Sequence, residues 1–195
     1  MLRLTFLLCL IALPVAAAPL SGVKTAQLSA ELYAAGTAAQ DPLLLIAAAQ
    51  LRKSLAFRGP SEAAPLEWQV ILSEAQAFAA GDEALLGIIA DVQAEASKGV
   101  ASGPVYQIGR LTPGAVDKFP AMAFAAGDYA EIYVEAKSAV DLNLRVFDSQ
   151  GQLVCADTDP SPIAYCGWTA ATGGDFAVQV ENLGPQDTGY ALMTN

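Results

Sequence analysis

The hydrophobic pattern of this chain changes period once, and that change limits the folds open to it. Before Gly99 apolar residues recur at helical spacing; from Val105 onward they alternate, as in half-buried strands. Between them Gly99-Val100-Ala101-Ser102-Gly103-Pro104 places two glycines and a proline in six residues, with no periodicity. The chain therefore reads as α+β: an N-terminal helical bundle of about four helices, in two hairpins, then a C-terminal antiparallel β-sandwich of jelly-roll type. The helical domain is set at 18–100, a linker at 101–104 and the sandwich at 105–195.

Four helices are expected, at 24–39, 42–57, 65–80 and 83–98. Asp41 is the N-cap of the second, with Pro42 at its first position, and Asp82 caps the fourth. Arg52, Lys53 and Arg58 fall near the end of the second helix, where positive charge suits the helix dipole. Asp41-Pro42-Leu43-Leu44-Leu45-Ile46 and Asp82-Glu83-Ala84-Leu85-Leu86 suggest an internal repeat. Two such units fall short of the roughly three that a solenoid needs, so a plain bundle is preferred.

Strands are expected at 105–111, 115–124, 129–136, 142–147, 152–157, 163–170, 176–181 and 188–194. In Tyr129–Ala136 the residues Ala130, Ile132, Val134 and Ala136 face one way, and Tyr129, Glu131, Tyr133 and Glu135 the other. Asp148-Ser149-Gln150-Gly151 reads as a hairpin turn, and Gly173-Gly174 as another.

Residues 1–17 read as a signal peptide: Arg3, an apolar run from Leu4 to Val15, then small residues, with cleavage after Ala17. The run is shorter than the ~20 residues of a spanning helix. Export to the periplasm or beyond is therefore expected, with no stable membrane span after cleavage. Of three cysteines, Cys9 leaves with the leader. Cys155 and Cys166 remain as an even pair in an exported chain and are expected to form a disulfide.

Composition removes several functions. The chain has no histidine, which excludes the usual Ser-His-Asp and Cys-His nucleophile systems. The formal net charge is −10, and no basic cluster exceeds Arg52–Lys53, so nucleic acid is not an expected partner. No Gly-x-Ser-x-Gly elbow or phosphate-binding glycine loop is present. No catalytic residue is assigned, and the chain reads as a non-enzyme.

Beyond Val105 the order of motifs resembles the bacterial pre-peptidase C-terminal domain. The matching segments are Gly114-Ala115-Val116-Asp117-Lys118-Phe119, Phe124-Ala125-Ala126-Gly127-Asp128-Tyr129, Val140-Asp141-Leu142-Asn143-Leu144-Arg145-Val146-Phe147-Asp148, and Gly173-Gly174-Asp175-Phe176-Ala177-Val178. The family's Gly-x-Tyr element is Gly174-Asp175-Phe176 here. The resemblance implies a small β-sandwich appended to secreted proteins, and it carries no activity over. The helical half resembles no family.

Two candidate sites follow. Asp148, Asp157 and Asp159 make the loops around Cys155 acidic and could supply oxygens to calcium, the one cofactor considered. The same residues also suit turns. Tyr133, Tyr165 and Trp168, with Tyr129 and Phe147 nearby, could form an aromatic platform for a sugar or peptide, or could simply pack the core. The expected function is an exported binding protein of the cell envelope, its helices engaging a protein or peptide partner and its sandwich serving as an accessory or targeting module. The alternative is a glycan- or calcium-dependent envelope-binding module acting through the sandwich. A carboxylate-dependent hydrolase is the third reading.

Overall fold

A computed structural model describes residues 20–59, 66–95 and 104–195. The leader at 1–17 and the linker, apart from Pro104, lie outside them. Four helices are followed by eight strands in two antiparallel sheets.

The helices are α1 (Gly22–Ala39), α2 (Pro42–Lys53), α3 (Trp68–Phe78) and α4 (Glu83–Ala94). Three begin at side-chain caps. The hydroxyl of Ser21 accepts from the Lys24 amide, Asp41 from those of Leu43 and Leu44, and Asp82 from those of Ala84 and Leu85. Helix α2 stops at Lys53, short of the expected Phe57, because the chain beyond it lies along the first strand. The Arg58 amide donates to the Pro104 carbonyl at 3.1 Å, and the Arg58 carbonyl accepts from the Tyr106 amide at 2.9 Å. Tertiary hydrogen bonds there replace the helical ones. Leu45, Ile46, Ala48 and Ala49 of α2 meet Ile71, Leu72 and Ala75 of α3 and Ile89 and Val92 of α4 in one buried cluster.

The strands are β1 (Val105–Leu111), β2 (Val116–Phe124), β3 (Tyr129–Ala136), β4 (Leu142–Phe147), β5 (Leu153–Asp157), β6 (Ile163–Thr169), β7 (Gly174–Asn182) and β8 (Thr188–Thr194). One sheet has the order β1-β8-β3-β6 and the other β2-β7-β4-β5, the strand arrangement of a jelly roll. Apolar side chains from both inner faces, among them Ile132, Val134, Leu142, Leu144, Val178, Val180 and Leu192, fill the space between. The Asp148–Gly151 turn joins β4 to β5 as a hairpin. Gly173 does not: it passes the chain from β6 in one sheet to β7 in the other. Strands β5 and β6 are edge strands of opposite sheets, and the Cys155–Cys166 disulfide fastens them together with Cα atoms 5.9 Å apart.

β3 departs from the half-buried expectation. Its inner face lies in the sandwich core, and its outer face is covered as well. Val23, Ala26 and Ala30 of α1 pack there against Tyr106, Tyr133, Ala191 and Met193. The helices therefore form a third layer on the β1-β8-β3-β6 sheet.

Candidate functional site

The outer face of β3 carries three polar side chains in succession: Glu131, Tyr133 and Glu135. The two-residue repeat of a strand puts them on one side. The helices close over one end of this row and leave the other end at the surface.

At the closed end Arg52 reaches down from α2. Its Nη2 lies 2.9 Å from Glu135 Oε2 and its Nη1 donates to Oε1 at 3.1 Å, a two-pronged pair with side chains 1% and 7% exposed. The same guanidinium donates through Nε to the Ser29 hydroxyl and through Nη2 to the Ala26 carbonyl, both on α1. Ser29 donates onward to the Ala48 carbonyl of α2 at 2.8 Å. Glu135 also accepts from the Leu66 amide at 3.2 Å and from the Tyr133 hydroxyl at 2.9 Å. Four donors thus meet one carboxylate, and they come from α2, the entry to α3, and β3. Burial pushes the Tyr133 hydroxyl well above its usual range; Glu135 adds to this and Arg52 opposes it.

At the open end Glu131 is 3% exposed and accepts from the Tyr165 hydroxyl of β6 at 2.9 Å. The Tyr165 and Tyr129 hydroxyls lie 3.4 Å apart. Both sit over Gly167, where a Cβ would collide with them, so only glycine admits this approach. Lys24 Nζ, from the first turn of α1, lies 4.1 Å from the Tyr165 ring centroid and donates to Gln27 Oε1. Burial raises the Tyr165 hydroxyl far above the ordinary tyrosine value, with Tyr129 and Glu131 adding to it, so the group remains a donor.

The structure separates the residues singled out from the sequence. Tyr133 and Tyr165 are cross-strand partners on the outer face, Tyr133 fully buried and Tyr165 half-buried. Trp168 points the other way, into the sandwich, against Phe124 and Phe176 with ring centroids 5.2 and 5.3 Å away, and is 8% exposed. The three do not share an exposed platform. Asp148 Oδ1 accepts from the amides of Gln150 and Gln152 within its own turn. Asp157 accepts from the Tyr165 amide at 2.8 Å and the Asp159 amide at 3.3 Å. Among the described residues no three His, Cys, Asp or Glu side chains converge as metal ligands, and the structure does not bring Asp148, Asp157 and Asp159 together into such a group. Arg52, Glu131 and Glu135 were not singled out by the sequence reading. For Arg52 a signal existed: Leu45, Ala48, Ala49 and Arg52 share one helical stripe, and all four are buried.

No helix among the described residues is long and apolar enough to cross a membrane. No protein-family model matches the chain, and no curated protein does. Among solved structures, the pre-peptidase C-terminal domain of a collagenase from Bacillus anthracis is similar at 14% identity, over 47% of this chain and 89% of that one, with a TM-score of 0.42. It is a domain of the family that residues 105–194 resemble. PliG of Aeromonas hydrophila, a periplasmic inhibitor of g-type lysozyme, is similar at 14% identity over 47% of this chain and 84% of its own, TM-score 0.35. The C-terminal CBM6 of LamC, a marine laminarinase of Zobellia galactanivorans, is similar at 13% identity over 43% and 75%, TM-score 0.30.

Proposed function

We propose that this protein is an exported, non-catalytic binding protein of the bacterial cell envelope. The helices engage a protein or peptide partner, and the sandwich acts as an accessory or targeting module. The observation that carries this reading is the state of α4. It buries only Ile89 and Val92 and leaves Ala84, Gly87, Ile88, Ala90 and Ala94 exposed. Small residues on an open helix face allow another backbone to approach closely. The buried charges support a structural use of the chain's ionisable groups: Arg52 and Glu135 are consumed by each other and by backbone partners. The disulfide fits an oxidising compartment.

The test compares the chain and its Ile88→Glu variant as baits for an envelope extract. One protein retained in stoichiometric amount by the parent and lost by the folded variant is the expected result. Equal retention by both, or retention of nothing, overturns the assignment to the helices.

A further inference from the structure

β3 carries two buried carboxylates four residues apart on one face, and the helical layer pairs only one of them. Glu135 has Arg52. Glu131 has a single side-chain donor, the Tyr165 hydroxyl, and no Lys or Arg among the described residues forms an ion pair with it. The second oxygen of this carboxylate has no protein donor and stays open to solvent. Its surroundings are also unlike those of a closed core. Tyr129, directly above, is 53% exposed. The backbone on either side is fixed, since the Asn195 side chain accepts from the Glu131 amide at 3.0 Å and donates to the Tyr129 carbonyl at 2.8 Å. Gly167 holds space for both tyrosine hydroxyls at this spot.

We propose that Glu131, Tyr129 and Tyr165 form a recognition site for one basic side chain, a guanidinium or a primary ammonium, presented by a protein partner. Such a group supplies what Glu131 lacks: positive charge and donors for Oε2. Aromatic faces beside a carboxylate attract cations through the ring quadrupole. The structure already shows one ammonium so placed, Lys24 Nζ over Tyr165, although its hydrogen bond goes to Gln27 and not to Glu131. The formal net charge of −10 draws basic partners toward the whole molecule. A sugar would bring neutral hydroxyl donors and leave the carboxylate charge unpaired. The inference deepens the binding reading by naming a partner chemistry. It concerns the sheet and not the α4 face, so either can fail alone.

The experiment uses the full chain with labelled tyrosine rings, followed by NMR during titration with N-acetyl-arginine amide. N-acetyl-norleucine amide and cellobiose serve as comparison ligands. The expected result is a weak but saturable shift of the Tyr129 and Tyr165 ring signals with the arginine compound only. It should weaken several-fold at high salt and vanish in Glu131→Gln. Tyr129→Ala, at an exposed ring, gives a second variant in which affinity should also fall several-fold. No saturable shift, an unchanged response in both variants, or an equal response to norleucine or cellobiose overturns the proposal.

Discussion

Arg52 of α2 and Glu135 of β3 meet at 2.9 Å where the helical layer lies on the sandwich, and water reaches neither to any extent. The pair is bidentate, and each partner also binds backbone: Arg52 the Ala26 carbonyl, Glu135 the Leu66 amide. Removing one member strands the other in a dry interface. Arg52→Met or Glu135→Leu alone is expected to cost about 3–5 kcal/mol of stability. The double variant should recover most of that loss, because an apolar pair of similar volume leaves no buried charge. Urea unfolding of the three variants measures both quantities.

Four tyrosines make the fold sensitive to alkali, among them Tyr33, raised by burial and by Glu74. Tyr133, Tyr165 and Tyr190 are all raised above the ordinary value, chiefly by burial, and then by Glu135, by Tyr129 with Glu131, and by Asp117 respectively. A raised acid keeps its proton longer in the folded chain than in the unfolded one. The unfolded chain releases these protons near pH ~10, so this contribution is whole below that pH and is lost as pH rises beyond it. A near-ultraviolet absorbance titration should show these tyrosines ionising together with unfolding. Their complete ionisation with the far-ultraviolet spectrum intact would contradict the burial.

The Cys155–Cys166 bond joins edge strands of opposite sheets and closes a short loop. Its loss is expected to lower stability by about 3 kcal/mol in the chain-entropy picture. Cys155→Ser with Cys166→Ser, compared with the parent in denaturant, gives the number.

Gly167→Ala separates the site from the fold. The new methyl would strike the ends of Tyr129 and Tyr165, which are side-chain tips able to shift. The expected stability cost is about 1 kcal/mol. The expected loss of the arginine response is complete, since displaced hydroxyls no longer frame Glu131.

Much of the architecture was legible in the sequence. Strands β1, β3 and β4 have the bounds that alternation gives them, and Asp41 and Asp82 cap the helices that follow. What alternation could not show is what covers a face. Glu131 and Glu135 fall on the polar side of β3, and polarity there read as exposure; Glu135 is covered by Arg52 of α2 and the Leu66 amide, far earlier in the chain, and Glu131 by Tyr165 of the neighbouring strand. Arg52 read as a charge suiting a helix end, although its place on the stripe of Leu45, Ala48 and Ala49 marks it as buried. Its partner was not legible, because nothing local to α2 says which strand it will meet. Tyr165 and Trp168 differ by an odd number of positions on one strand, so their opposite faces follow from the pleat alone.

The helical layer and the sandwich, on this account, unfold as one unit held together through Arg52 and Glu135. The two tryptophans stand one in each part, Trp68 on α3 and Trp168 on β6. In Trp68→Phe the fluorescence of Trp168 reports the sandwich, while ellipticity at the helical band reports the helices of the same molecules. The measurement is urea unfolding of that variant by both signals. Coincident transitions are expected. A helical transition at clearly lower urea than the fluorescence transition would contradict the single unit and return the helices to an independent domain.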